Sequence, residues 1–160
     1  MTRLDGIDRD LLGIMAKSGC TMISFGIESG SPQILGKIKK GVSVNYAIKQ
    51  LKIVKEFPIK IRTSIMVGNP GENEKTIEET IDFLNLIQPD VWSINNAKIY
   101  PGSEFHREAI ENGWDANAFW LSNQSPPNLN SEIESHILED YANQIHRSLA
   151  VKAILKHVEE

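Results

Sequence analysis

The apolar positions along the chain follow two periods, one typical of β-strands and one typical of α-helices. Three short apolar runs predict strands over Met22–Ile27, Lys60–Val67 and Val91 to about Ile99. The clearest helix is predicted over about Glu74–Ile87, where apolar residues recur every three or four positions. Strands that alternate with helices in this order predict an α/β fold with a parallel sheet.

The positions of the remaining helices are predicted from residues that favour helix ends. Asp8 and Ser43 are predicted N-caps, and Pro32 suits the first turn of a short helix between them. A further helix is predicted to begin near Ser103. Residues 112–130 are rich in aromatic residues, Asn and Pro, which predicts an irregular packed segment, and a last helix is expected over about 132–157 as an appendage to the sheet.

Each predicted strand ends in a segment rich in glycine and polar residues. These segments are Gly26–Ser31, Gly68–Glu72 and Tyr100–Ser103. In parallel α/β proteins, ligands gather at the carboxyl ends of the strands. Three such segments in one chain therefore predict a functional edge of the sheet.

Alternation within the strands predicts that one face of the sheet is polar. That face carries Ser24, Gly26 and Glu28 in the first strand, Arg62, Ser64, Met66 and Gly68 in the second, and Ser93, Asn95 and Ala97 in the third. A parallel sheet covered on both faces has near-continuous apolar strands instead. The polar face therefore either lines a ligand site, which we favour, or is a solvated surface.

Composition narrows the class of protein. The chain has 160 residues and a formal net charge of −4, which fits one domain and argues against a sequence-blind nucleic-acid partner. No apolar run approaches the roughly 20 residues needed to cross a bilayer, and the N-terminus does not resemble a signal peptide, so we expect a cytoplasmic protein without a membrane partner. Cys20 is the only cysteine, so this chain alone cannot build a multi-cysteine metal site.

Two charged residues flank the first strand-end segment and its helix. Glu28 is able to accept hydrogen bonds from ribose hydroxyls or to pair with an ammonium group, but a carboxylate there is also a common helix cap. Lys40 either meets a ligand carboxylate or is a solvent-exposed charge at a helix end. The sequence has neither a P-loop nor a G-x-G-x-x-G pattern, so it does not favour the hypothesis of an unrelated barrel enzyme that binds phosphate.

The order and spacing of these motifs resemble those of radical S-adenosylmethionine (SAM) enzymes. The matching segments are Gly19-Cys20-Thr21, Ile23–Ser31, Ile38–Gly41, Ile65–Glu72 and Ile99–Ser103. The resemblance runs from about residue 2 to residue 106 and is closest to the branch with cobalamin-binding domains, which includes the Mg-protoporphyrin cyclase-like proteins. It implies that residues 1–110 form the C-terminal half of a partial (βα)6 TIM-type barrel, followed by an irregular segment over 111–130 and a helical tail over 131–160.

The resemblance also implies a binding site for SAM. Glu28 would be a polar contact to the cofactor, Lys40 would meet its carboxylate, and Ser64 would take a position where the family often has a ribose-binding Asp. The implied cofactor contacts are Ser24, Glu28, Ser29, Lys40, Ser64, Val67, Gly68, Tyr100 and Pro101. Among these, Val67 and Gly68 would offer backbone groups to the adenine, which Tyr100 and Pro101 would border.

In this family a Cys-x-x-x-Cys-x-x-Cys loop holds a [4Fe–4S] cluster, and reductive cleavage of SAM gives a 5′-deoxyadenosyl radical. The chain lacks that loop, so the resemblance implies that the cluster ligands lie in a separate N-terminal half of the barrel. Cobalamin and a small-molecule substrate would belong to the whole enzyme. The alternative is a non-catalytic α/β module for binding or interaction.

Overall fold

Three parallel strands form one sheet in the order β1-β2-β3. The computed structural model describes residues 1–115, 129 and 133–159. The strands are β1 (Met22–Glu28), β2 (Lys60–Val67) and β3 (Val91–Asn96), and the helices are α1 (Arg9–Lys17), α2 (Pro32–Lys37), α3 (Val44–Val54), α4 (Glu74–Ile87), α5 (Glu104–Glu111) and α6 (Ser135–Glu159). This confirms the α/β class and the parallel sheet. Among the described residues, no helix is long and apolar enough to cross a membrane.

Side-chain caps fix where several helices begin. Asp8 accepts a hydrogen bond from the Leu11 amide at 2.8 Å, and Ser43 accepts one from the Tyr46 amide at 3.2 Å, which confirms both predicted caps. Helix α4 has the predicted bounds, and it begins with a reciprocal capping box between Asn73 and Thr76.

The pairing of β1 with β2 contains a bulge. Gly26 pairs with Ser64, but Glu28 pairs with Ile65, so Ile27 is an extra residue in β1. Glu28 completes the irregularity with a φ of +73°, a left-handed conformation that is uncommon for a residue with a side chain. The bulge therefore changes the direction of the chain at the carboxyl end of the strand.

The two faces of the sheet differ as the alternation predicts. Phe25, Thr63 and Ile65 are fully buried on the outer face, where the helices pack. The inner face carries Gly26, Ser64 and Ser93 in one row across the three strands. Burying an Ile or Phe side chain contributes about 1.5–3 kcal/mol, so the outer face stabilises the sheet and leaves the inner face available for other roles.

Helix α6 is part of the core, although it was expected to be an appendage. Leu138 and Ile145 are fully buried, and Tyr141 and Leu149 are nearly so. The Trp92 indole of β3 donates a hydrogen bond to His146 Nδ1 at 3.0 Å. The helix thus covers α4 and the outer face of β3.

Strand β3 is shorter than expected. It ends at Asn96 rather than near Ile99. The Ala97 amide still donates to the Val67 carbonyl at 2.7 Å, but the Ala97 carbonyl accepts a hydrogen bond from the Leu129 amide at 2.8 Å. The chain therefore leaves the sheet at this residue, because its backbone turns to a partner outside the three strands.

Gly30 is predicted to be required by packing. A Cβ at this position would lie 2.6 Å from Phe83 Cβ and 2.7 Å from the Thr80 Cα, and the latter is backbone that cannot easily move. We expect Gly30→Ala to lower the free energy of unfolding by about 1–3 kcal/mol. The measurement is urea denaturation.

Gly36→Ala is the matched control for this prediction. Gly36 lies in α2 with nothing within 4 Å of an added Cβ, so this change is expected to be neutral or to stabilise the protein by up to about 1 kcal/mol. Equal losses of stability in the two variants would contradict the packing argument.

Candidate functional site

An ion pair lies at the carboxyl end of β1. The Lys40 ammonium donates to Glu28 Oε1 at 2.9 Å, and the two side chains are only 19% and 13% exposed. Lys40 follows α2, so the pair connects the start and the end of the segment that leaves β1. A partly buried pair is screened less by solvent and salt than a surface pair. The structure thus brings together the two charges that the sequence predicts as site residues.

Gly26 makes room for this pair. A Cβ at residue 26 would lie 2.5 Å from Glu28 Oε1 and 3.3 Å from Lys40 Nζ. The Glu28 carboxylate therefore folds back over the inner face of β1 instead of extending beyond the strand. Gly26 is needed here for the close approach of a side chain, not for an unusual backbone conformation.

Ser64 and Asn95 continue the polar surface across the sheet. Ser64 is the neighbour of Gly26 on β2, and the Asn95 side-chain amide on β3 donates to Ser64 Oγ at 3.3 Å. Lys40, Glu28, Ser64 and Asn95 together form what we call the polar strip. The strip offers ammonium, carboxylate, hydroxyl and amide groups on one face, which suits a ligand with several polar groups.

The segment after β2 is held by a buried carboxylate. Glu72 is 7% exposed and accepts hydrogen bonds from the Gly68 amide and, at 3.3 Å, from the Asn69 side-chain amide. Asn69 also donates to the Met66 carbonyl at 3.0 Å. Burial raises the pKa of the Glu72 carboxyl, and the hydrogen bonds from Gly68 and Asn69 oppose this rise. Glu72 therefore fixes the shape of the strand end beside the polar strip.

The structure places some of the implied cofactor contacts elsewhere. Ser29 is buried, and its hydroxyl lies 3.1 Å from Thr80 Oγ1 and accepts a hydrogen bond from the Ser31 amide at 3.0 Å. Its side chain therefore ties the loop to α4 and does not join the polar strip. The Ser29–Thr80 contact depends on tertiary packing, so the local sequence does not reveal it.

At the second strand end, two of the backbone groups that the resemblance implies as cofactor contacts already have hydrogen-bond partners within the protein. The Val67 carbonyl accepts from Ala97, and the Gly68 amide donates to Glu72. At the third strand end, Tyr100 and Pro101 are exposed, and the Tyr100 carbonyl accepts from Ser103 Oγ at 2.7 Å.

Ser24 lies on the same face as the polar strip, one row nearer the amino end of β1. Its Cα partner is Arg62, and its side chain is half-buried. Asn95 was not among the implied cofactor contacts, although alternation alone places it on this face. Its link to Ser64 becomes visible only when the register of β2 and β3 is known.

The role of Glu72 predicts an unusual pH dependence. Because its pKa is raised above the ordinary 4.5, the folded protein binds the proton more tightly than the unfolded chain. The stability of the wild type relative to Glu72→Gln is therefore expected to rise as the pH falls from neutrality towards 4.5. Urea unfolding of both proteins over this range measures the difference.

Glu78→Gln is the control, because Glu78 is exposed on α4. A stability difference between wild type and Glu72→Gln that does not change with pH would contradict the assignment.

Glu72→Ala is expected to lower the free energy of unfolding by about 1–3 kcal/mol, because it leaves the Gly68 amide without its acceptor.

Relatives of this chain are found among methyltransferases. An uncharacterised methyltransferase of Pyrococcus horikoshii is 32% identical over 111 residues, which are 69% of this chain and 24% of that protein. The cytidylyl-2-hydroxyethylphosphonate methyltransferase of Streptomyces wedmorensis is 28% identical, and the match covers 71% of this chain and 22% of that protein. The matched part of the chain thus spans about a quarter of the length of these two relatives.

Solved structures share the fold at low sequence identity. The radical SAM methyltransferase TsrM of Kitasatospora setae, with cobalamin and a [4Fe–4S] cluster bound, is 19% identical with a TM-score of 0.62, over 69% of this chain and 22% of that one. The Escherichia coli coproporphyrinogen III oxidase HemN, a radical SAM enzyme, is 16% identical with a TM-score of 0.63, over 92% of this chain and 31% of that one.

The family model of the Radical SAM superfamily matches residues 1–84, which is more than half of the 160 residues. The matched residues include β1, β2 and most of α4, and they contain Glu28, Lys40 and Ser64. On this match, and on the fold that it shares with TsrM and HemN, the chain belongs to the Radical SAM superfamily.

Proposed function

We propose that this chain is the C-terminal part of a radical SAM enzyme barrel and that the polar strip contacts SAM. The observation that carries the proposal is the partly buried Glu28–Lys40 pair on the inner face of the sheet, beside Ser64. The strip lies where ligands of parallel α/β proteins bind. When bound, SAM and its cluster supply a 5′-deoxyadenosyl radical for the reaction.

The Glu28–Lys40 pair is arranged to hold a zwitterionic ligand. An ammonium group has three N–H donors, and the contact with Glu28 engages Lys40 through one oxygen. The remaining donors suit the carboxylate of SAM, and the second Glu28 oxygen suits a ribose hydroxyl or the ligand's ammonium. The pair thereby keeps two flexible side chains ordered before the ligand arrives, which lowers the entropic cost of binding.

Ser64 and Asn95 add neutral groups to the same surface. The Asn95 amide donates to Ser64 Oγ, so the Ser64 hydroxyl proton is directed towards another acceptor. A ribose hydroxyl is such an acceptor. Ser64 and Asn95 together would therefore perform the role that the family often gives to one carboxylate.

The cluster does not fit this chain. Its one thiol, Cys20, precedes β1, at the end of the strand opposite the polar strip, and its Sγ lies 3.5 Å from the Met22 carbonyl. A [4Fe–4S] cluster of this class requires three or four thiolates. We therefore assign the cluster ligands to a part of the enzyme that precedes these residues.

The relatives named above are methyltransferases, and TsrM binds cobalamin. We propose a small-molecule substrate and a whole enzyme that contains the missing half of the barrel, with cobalamin as a further cofactor. The described residues would form the wall on the substrate side of SAM.

The first test concerns the gene and the metal. DNA upstream of the Met1 codon is expected to encode an in-frame Cys-x-x-x-Cys-x-x-Cys loop. The 160-residue chain alone is expected to hold no stoichiometric iron after anaerobic reconstitution, because it lacks the thiolates. Stoichiometric iron and sulfide in this chain would contradict the division of the site.

The second test concerns the proposed contact between Lys40 and SAM, and it uses the complete enzyme. Lys40→Met is expected to weaken SAM binding about ten-fold or more, since a hydrogen bond to a charged group contributes about 1.5–3 kcal/mol. Isothermal titration calorimetry measures the affinity. Lys52→Met, a change on the exposed side of α3, is the matched control and should bind SAM as the wild type does. Equal affinities of Lys40→Met and wild type would exclude the proposed contact.

A further inference from the structure

Lys39 has a backbone conformation that normally favours glycine. Its φ is +50°, at the point where α2 ends. The Lys39 amide bonds to the Gly36 carbonyl and the Lys40 amide to the Leu35 carbonyl, which is the usual way for a helix to end in a left-handed residue. A side chain at this position is unfavourable for the backbone. Helix termination alone would therefore favour a glycine here, and it does not account for the lysine side chain.

The Lys39 side chain has a specific partner. Its ammonium lies 2.6 Å from both carboxylate oxygens of Glu104, the first residue of α5. Hydrogen bonding to Lys39 lowers the pKa of the Glu104 carboxyl. The two side chains are 69% and 45% exposed, so the pair is accessible to solvent and salt. Such a pair holds two elements together weakly and reversibly.

In the described part of the chain, helix α5 is held by contacts near the surface, among them the edge contact of the His106 ring with Trp114. None of its residues is buried, in contrast to α4, which buries six. Ile110 is 46% exposed. A short helix without buried apolar residues is stabilised little by packing. The contact with Lys39 is the ion pair that ties the N-terminus of α5 to the segment after β1.

The pair also links the segments that follow the two outer strands of the sheet. Lys39 follows the helix after β1, whereas Glu104 follows β3, and β2 lies between these two strands. We call Tyr100–Glu104 the rim loop. The contact draws the rim loop towards the segment after β1, and the next residue along from Lys39 is Lys40 of the polar strip.

We propose that Lys39 and Glu104 form a latch that closes the rim loop over the carboxyl ends of the strands and opens to admit a ligand. The proposal rests on the proposed strand-end site but not on the identity of its ligand. Adjacent lysines then have separate tasks. Lys40 orders the polar strip, and Lys39 holds the rim loop beside it.

Amide hydrogen exchange of the unliganded 160-residue chain tests the latch without any cofactor, so its failure is separate from a failure to bind SAM. Lys39→Gly removes the side chain but suits the left-handed backbone, and Glu104→Gln removes the charge without touching α2. Each variant is expected to speed exchange over residues 104–111 about two- to five-fold, the scale of an exposed ion pair. High salt should do the same to the wild type.

The variants also separate the latch from general destabilisation. Lys39→Gly is expected to keep or raise the urea midpoint of the whole chain while α5 exchanges faster. The exchanged pair Lys39→Glu with Glu104→Lys should restore protection of α5, and Glu28 shows that a glutamate tolerates a left-handed backbone in this protein.

Glu56→Gln is the matched control. It breaks the Arg9–Glu56 pair, which is also bidentate, with both contacts at 2.7 Å and side chains 57% and 51% exposed, but which joins α1 to the end of α3. Exchange over residues 104–111 should not change in this variant. Unchanged exchange in both Lys39→Gly and Glu104→Gln, or faster exchange of α5 in Glu56→Gln as well, would overturn the latch.

Discussion

The Glu28–Lys40 ion pair is the interaction on which the candidate site depends. It requires the bulge that turns Glu28, the absence of a side chain at Gly26, and the turn after α2 that delivers Lys40. Arg3 supports that turn from the other side, because its guanidinium donates to the Lys40 carbonyl at 3.2 Å. Both side chains are mostly buried, and each is the charged partner of the other.

The sequence was sufficient to predict the strands, the caps and the polarity of the inner face, because each depends on neighbours along the chain. Asp8 and Ser43 cap helices through bonds to residues three positions away. The other features could not be predicted, because they depend on tertiary contacts between residues far apart in the sequence. The Ser29 hydroxyl bonds to Thr80, which is 51 positions away, and the Gly68 amide is engaged by Glu72 only because the loop folds back on itself. Helix α6 joins the core through Leu138 and Ile145, whose burial depends on tertiary packing.

The residues matched by the family model and the residues of the candidate site overlap only in part. The match covers residues 1–84, whereas Asn95, the rim loop and α6 lie beyond it. Within the match, Ser64 is a smaller and neutral group than the carboxylate that the family often carries there. Asn95 donates a hydrogen bond to Ser64 from the next strand, outside the matched residues. The polar strip therefore combines residues inside the family match with one residue beyond it.

The extra residue in β1 has a consequence for how this protein tolerates changes in length. Up to Gly26, odd-numbered residues of β1 face the helices and even-numbered residues face the inner side. Ile27 has no partner on β2 and is buried, and the Glu28 carboxylate lies over Gly26. Loss of one codon here would move Glu28 into the apolar place of Ile27. A deletion of one residue is harmless in most surface loops. At this position it would remove a binding group from the inner face and bury its charge instead.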